Sequence, residues 1–135
     1  MDTAHITYLG ALRTTCTHVR SGERIVTDAP IDNKGKGEAF SPTDLLATAL
    51  GGCILTTMAI VAAEKGYAFD SATARVVKHM ASSPRRVQRV EVHIELDGKA
   101  FDPKARSIME HTALTCPVAR SLAGDLEQDI RITYK

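Results

Sequence analysis

Cys16, Cys53 and Cys116 are the residues of this 135-residue sequence whose type and setting point most directly to chemistry. Cys116 stands immediately before Pro117. A residue before proline is pushed out of the helical region, while proline itself suits the first position of a helix, so Cys116 should open one. Free backbone N–H groups and the helix dipole stabilise a thiolate there, and the pKa of Cys116 is expected to fall. Cys53 instead lies within an apolar run, on a helical face shared with Leu46, Ala49, Leu50, Thr57 and Ile60. Burial there should raise its pKa unless a cation reaches it. Two thiols in such unlike settings are usable in redox chemistry. The plainer alternatives are a small core hydrophobe at Cys53 and a capping or packing role at Cys116.

Other constellations carry less. Cys16 and His18, two apart on a strand, face the same side, but two ligands do not make a metal site. Arg85, Arg86 and Arg89 form a small basic cluster with no aromatic partner for base stacking, which reads as a solvated face. Lys34-Gly35-Lys36-Gly37 has the composition of a phosphate loop without its Gly-Lys-Ser/Thr ending. No Gly-x-Ser-x-Gly elbow and no His-Glu-x-x-His pair is present, so ordinary hydrolase and zinc-protease readings have no support.

The elements that must position these thiols follow from local signals. Ser41-Pro42-Thr43-Asp44 supplies a cap hydroxyl, a first-turn proline and a carboxylate three residues after the cap, which starts a long helix that Gly66 should stop. Gly51-Gly52 inside that helix weakens it, which predicts another element packed closely across it. Upstream, Ile6 to Val19 and Ile25-Val26 read as two or three strands with a turn at Ser21-Gly22, and Asp28 to Phe40 as a connecting loop. Downstream come a strand over Ala72 to Ala81, a turn at Ser82-Ser83-Pro84, and Val90, Val92, Ile94 and Leu96 alternating with polar residues as the clearest strand. A helix from Pro103 should stop near Cys116, a short one run from Pro117 to Gly124, and a strand over Ile130 to Tyr134 close the chain. The fold class expected is α+β, one domain over residues 1–135, with a mostly antiparallel sheet and its helices on one face.

Composition narrows the function classes. Hydrophobic residues make up 44% and charged residues 24%, as in globular domains, and the net charge of +1 is too balanced to drive binding to nucleic acid or anionic lipid. Leu45 to Ala63 runs 19 residues without a charge, about the length of a membrane span. Eleven of those residues are small or polar, no aromatic belt flanks them, and Glu64 and Lys65 follow at once, so a buried core helix or the centre of an intertwined dimer is the expectation. Three widely spaced cysteines behind an N-terminus without a charged and then apolar leader read as a reducing, cytoplasmic setting.

Ser41-Pro42-Thr43-Asp44-Leu45-Leu46, then Ala49-Leu50-Gly51-Gly52-Cys53, and then Cys116-Pro117-Val118 sixty-three residues after Cys53, resemble the OsmC/Ohr family of thiol-dependent peroxidases. The resemblance covers nearly the whole chain. Its marks are a cysteine inside a long central helix that opens with a proline eleven positions earlier, and a second cysteine in a Cys-Pro step. It implies an OsmC-like fold, an intertwined homodimer with the long helices at its centre, and two active sites at the subunit interface.

It also implies residue roles. Cys53 would attack the O–O bond of an organic hydroperoxide and become a sulfenic acid, and Cys116 would condense with it to a disulfide that a thiol or lipoyl-type dithiol recycles, without metal, haem or flavin. An arginine from the N-terminal region would stabilise the Cys53 thiolate. Arg24 is slightly preferred for that role over Arg20, with His18 as a third polar candidate. Where family members carry glutamate ten residues before the peroxidatic cysteine, this chain has Thr43, with the acid at Asp44. That shift turns the carboxylate round the helix and suits it to capping. The alternative function is a catalytically weak relative that binds an apolar small molecule or senses electrophiles at a dimer interface.

Overall fold

Alternation along Arg85–Leu96 organises the larger part of the chain: Val90, Val92, Ile94 and Leu96 are buried while Arg89, Glu91, His93 and Glu95 between them reach the other face. A computed structural model describes all 135 residues, Met1–Lys135. They divide into two compact units, Met1–Leu46 and Ala47–Lys135, each described by itself.

The first unit is an antiparallel meander of β1 (Ala4–Gly10), β2 (Arg13–His18) and β3 (Arg24–Asp28). Its register sets Ile6, Cys16 and Ile25 in one row and Tyr8, Thr14 and Thr27 in the next. Gly22 turns β2 into β3 at φ +79°. The β1–β2 connection is made by Ala11 and Leu12, at φ +53° and +63°, which gives a primed hairpin turn without the Asn-Gly or Asp-Gly that usually marks one. The oxygen of Tyr8 accepts the Leu12 N–H at 3.2 Å and helps hold that turn.

The loop from Asp28 to Phe40 is ordered by its glycines. A Cβ on Gly35 would lie 1.7 Å from the Ala29 carbonyl oxygen, and Gly37 sits at φ +62° against Ile31. The Lys-Gly-Lys-Gly run is thus explained by chain packing around a short 3-10 turn at Ile31–Asn33. The loop delivers the chain to α1 (Pro42–Lys65), whose start is a reciprocal capping box: Asp44 N–H donates to Ser41 Oγ at 3.0 Å and Ser41 N–H to Asp44 Oδ2 at 2.9 Å.

In the second unit α1 continues to a Schellman stop. Gly66 takes φ +75°, its N–H reaches the Ala63 carbonyl, and the Tyr67 N–H reaches that of Ala62. Next come β4 (Ala72–Ser82) and β5 (Arg85–Leu96), then α2 (Pro103–Leu114), α3 (Pro117–Ser121) and β6 (Glu127–Tyr134). The core joins Leu50, Ile54 and Met58 of α1 to the inward residues of β5 and to Met109 and Ala113 of α2. On the opposite face Arg89 pairs with Glu91, Glu127 and Asp129, and Arg86 pairs with Asp125, so two arginines of the basic cluster are matched by carboxylates.

Several expectations are corrected. The strands form two three-stranded sheets, and in the second β4 pairs antiparallel with β5 while β6 runs parallel to it. The chain returns to β5 through α2 and α3, and such a crossover brings a strand back in the same direction. Helix α2 ends at Leu114, two residues before Cys116, and α3 stops at Ser121 rather than Gly124. Strand β4 packs against Gly51 through a side chain: a Cβ on Gly51 would meet the Val76 side chain at an ordinary 3.7 Å, and one on Gly52 would meet nothing within 4 Å, so the contact does not require glycine at either position.

Candidate functional site

The capping box and the Schellman stop fix the phase of α1, and with it the direction of Cys53, which sits half-buried at the edge of the core. Asp102 caps α2, accepting the Ala105 N–H at 2.8 Å, and Thr115 ends it. Cys116 then adopts an extended conformation as the residue before α3, with its side chain wholly buried. These turns bring together two thiols far apart in the chain. Cys53 and Cys116 are free cysteines, near enough that each bears on the other's acidity. The Val118 backbone, in the first turn of α3, favours the Cys53 thiolate, and the hydroxyl of Thr57 lies 3.8 Å from Cys53 Sγ.

The electrostatics are the reverse of the sequence expectation. Burial pushes the Cys53 thiol up, but donation from Val118 N–H, Cys116 S–H and Thr57 O–H outweighs it and leaves Cys53 below an ordinary thiol. Burial likewise pushes Cys116 up, the N–H groups of Ala119 and Val118 oppose that only in part, and the neighbouring Cys53 raises it further. The difference follows burial: Cys116 is fully desolvated and its side chain makes no capping hydrogen bond to α3, while Cys53 is only half-buried. The arrangement therefore poises Cys53 as the thiolate and Cys116 as the proton-bearing partner.

The first unit holds the other expected residues. Arg24, on β3, is exposed and pairs with no carboxylate; Arg20 is exposed too, and His18 Nδ1 lies 2.6 Å from Ser21 Oγ within its turn. Sequence reasoning missed Arg13. Its Nε donates to Asp28 Oδ1 at 2.7 Å and its Nη2 to Asp28 Oδ2 at 2.8 Å, a two-pronged grip on a carboxylate that is 1% exposed. The Glu38 N–H donates to the same carboxylate, and the Glu38 side chain lies 3.6 Å from Arg13. The Arg13 guanidinium beside it holds the Asp28 carboxyl below the usual carboxylate range. The missed signal is the β2–β3 register, which sets Arg13 directly opposite Asp28.

Cys16 lies in the sheet row with Ile6 and Ile25, 3.7 Å from the Thr14 hydroxyl. Asp44 serves the capping box, and the Thr43 hydroxyl lies 3.2 Å from Ser41 Oγ. No group of three or more His, Cys, Asp or Glu side chains is arranged to hold a metal. A cavity of about 410 Å³ in the second unit is lined by Ser71, Thr73, Glu95 and Lys135 among others, and by neither thiol.

A family model described as OsmC-like protein matches residues 35–131, which include both thiols. The chain belongs to the OsmC family. A crystal structure from Psychrobacter arcticus, of a candidate osmotic stress induced and detoxification response protein, shares 48% identity at a TM-score of 0.93, covering 98% of this chain and 96% of that one. An organic hydroperoxide resistance protein OsmC from Legionella pneumophila matches at 14% identity and a TM-score of 0.76, covering 98% of each chain. OhrB, the organic hydroperoxide resistance protein of Bacillus subtilis, matches at 18% identity and 0.69, again over 98% of each. These last two likenesses establish the OsmC-like α+β fold. No curated protein sequence matches the chain.

Within this OsmC frame the long central helix and the Cys-Pro step each carry one thiol of the pair. Two of the three candidate catalytic residues, Cys53 and Cys116, are thus brought near each other, while Arg24 is exposed on a strand of the first unit.

Proposed function

We propose that this OsmC-family protein is a thiol peroxidase that reduces organic hydroperoxides. The observation that carries the reading is the neighbouring pair of free thiols in which Cys53 is the more exposed, with its pKa lowered, and Cys116 the buried one. The Cys53 thiolate attacks the terminal oxygen of R–O–OH; the O–O bond breaks, sulfur becomes a sulfenic acid, and the alkoxide takes a proton and leaves as the alcohol. Cys116 then attacks the Cys53 sulfur, the S–O bond breaks, and the hydroxide leaves as water with the Cys116 proton. A dithiol such as a lipoyl group reduces the disulfide by two exchange steps and is itself oxidised. Cys53 packs at the edge of the apolar core, a setting that favours a hydroperoxide with a hydrocarbon body over hydrogen peroxide. A reducing compartment, the cytoplasm, supplies the thiols that this cycle consumes. The names of the relatives support the reading: two are organic hydroperoxide resistance proteins and a third belongs to a detoxification response.

The working form in this reading is a homodimer. Helix α1 buries one stripe in the core and leaves a second, uncharged one exposed, with Ala49, Gly52, Thr56 and Ile60 along it. Helix α1 is long and apolar enough to cross a bilayer by length and composition; a second copy of the chain would cover the exposed stripe instead. Arg24 is the arginine that lends its charge to the thiolate in this reading, and Arg24→Ala should slow alkylation of Cys53.

The deciding experiment is mass mapping of the reduced protein after one equivalent of alkyl hydroperoxide. Loss of about two mass units at Cys53 and Cys116, with Cys16 still free, is the expected result. Turnover by Cys53→Ser at the parent rate would sink the proposal.

A further inference from the structure

Thr57 faces a sulfur where three other hydroxyls at helical spacing face a carbonyl. Thr112, Thr115 and Ser121 each donate to the carbonyl four residues earlier, at 2.8, 2.8 and 2.7 Å. That is the usual way for a serine or threonine inside or at the end of a helix to satisfy its hydroxyl. Thr57 has a residue at the same spacing behind it, Cys53, and its Oγ1 lies 3.8 Å from the sulfur of that residue. Residues four apart share a helix face, and side chains lean toward the N-terminus, so Thr57 is placed to reach back over Cys53. Both side chains are half-buried, where a hydrogen bond to a charged sulfur is less diluted by water than at the surface.

We infer that Thr57 is a positioning residue for the reactive thiolate, donating its hydroxyl proton to Cys53 Sγ and holding that sulfur beside Cys116. The inference rests on the proposed thiol chemistry and adds to it a donor from α1 itself. A thiolate has no proton to give, so when Cys53 is ionised the Thr57 hydroxyl is the donor of the pair. The Val118 backbone and Cys116 also favour the Cys53 thiolate, so support for it comes from α1, the Cys-Pro step and α3. Part of the thiolate stabilisation is thereby built into the helix that carries the nucleophile, independent of any arginine.

The test is the pH profile of Cys53 alkylation by iodoacetamide, read by peptide mass in a Cys16→Ser background. Thr57→Val keeps the shape and removes the hydroxyl; it should raise the alkylation midpoint by about half a pH unit, leaving roughly threefold less thiolate below it. Thr57→Ser restores the hydroxyl and should return the midpoint to the parent value. The inference is overturned if Thr57→Val titrates with the parent, or if Thr57→Ser shifts as far as Thr57→Val. Should Thr57→Val fail to fold, Thr57→Ala is read against the same two outcomes. The two readings fail separately: a parent protein whose Cys53 resists hydroperoxide while Thr57→Val still shifts the midpoint removes the peroxidase and leaves Thr57 in place. An unshifted midpoint with hydroperoxide oxidation intact does the opposite.

Discussion

Cys53, inside the long helix α1, and Cys116, at the cap of the five-residue helix α3, lie near enough to shift each other's acidity, with Cys53 lowered and Cys116 raised. In the proposed cycle, the attacking and resolving thiols are therefore neighbours before any substrate arrives.

Cys116→Ala and Cys116→Ser should separate the two uses of that proximity. Both prevent the disulfide, so a Cys53 sulfenic acid should persist after hydroperoxide and be captured by a dimedone-type trap. Alanine also removes the donor, so the alkylation midpoint of Cys53 should move upward. Serine keeps a hydroxyl donor and should leave the midpoint near that of the parent. Equal midpoints in the two variants would show that Cys116 resolves without stabilising.

The Arg13–Asp28 pair should make the protein sensitive to acid. The folded pKa of Asp28 is lowered, so below the ordinary carboxylate value of about 3.9 the unfolded chain binds the proton first. The stabilising contribution is complete above that value and is lost as pH falls through the lowered native one. Asp28→Asn should flatten the acid side of a plot of melting temperature against pH. At neutral pH Arg13→Ala should lower the melting temperature more than Arg24→Ala, because it leaves a buried carboxylate without its partner.

Gly51 and Gly52 test the dimer. Alanine fits at both in the isolated chain, and each replacement should stabilise α1 by up to about 1 kcal/mol. Gly51→Ala should show that gain in thermal melts. Gly52 lies on the exposed stripe, so a second copy packed there would meet the added methyl group. Gly52→Ala should then shift sedimentation toward monomer, and an unchanged dimer with higher stability would rule out close packing at that residue.

The Ala11-Leu12 turn is an unoptimised one. Two non-glycine residues at positive φ cost about 1 kcal/mol each, so Ala11→Asn with Leu12→Gly should raise the unfolding free energy by about 1 kcal/mol. Denaturant titration reads that gain, and a loss would mean that the Leu12 side chain contributes more than its backbone costs.

Elements written in local chemistry were legible. The capping box at Ser41 and Asp44, the stop at Gly66, the alternation along β5 and the Cys116-Pro117 step each depend on neighbours in the chain, and each lies where its residues put it. The β1–β2 turn escaped because Ala11 and Leu12 carry none of the residues that usually take such a conformation. The parallel course of β6 escaped because alternation marks a strand without giving its direction.

The thiol pair divides along the same line. The amino-acid sequence by itself determined that Cys53 sits mid-helix, that Cys116 opens a short helix, and that the chain is OsmC-like, since all three follow from residue types at fixed spacing. Only the tertiary structure decided that the two thiols are neighbours, that full burial raises Cys116 while Thr57 and the start of α3 favour the Cys53 thiolate, and that Asp28 holds Arg13. A thiol's pKa depends on the balance between lost water and the donors aimed at the sulfur, and that balance is set by residues far away in the sequence.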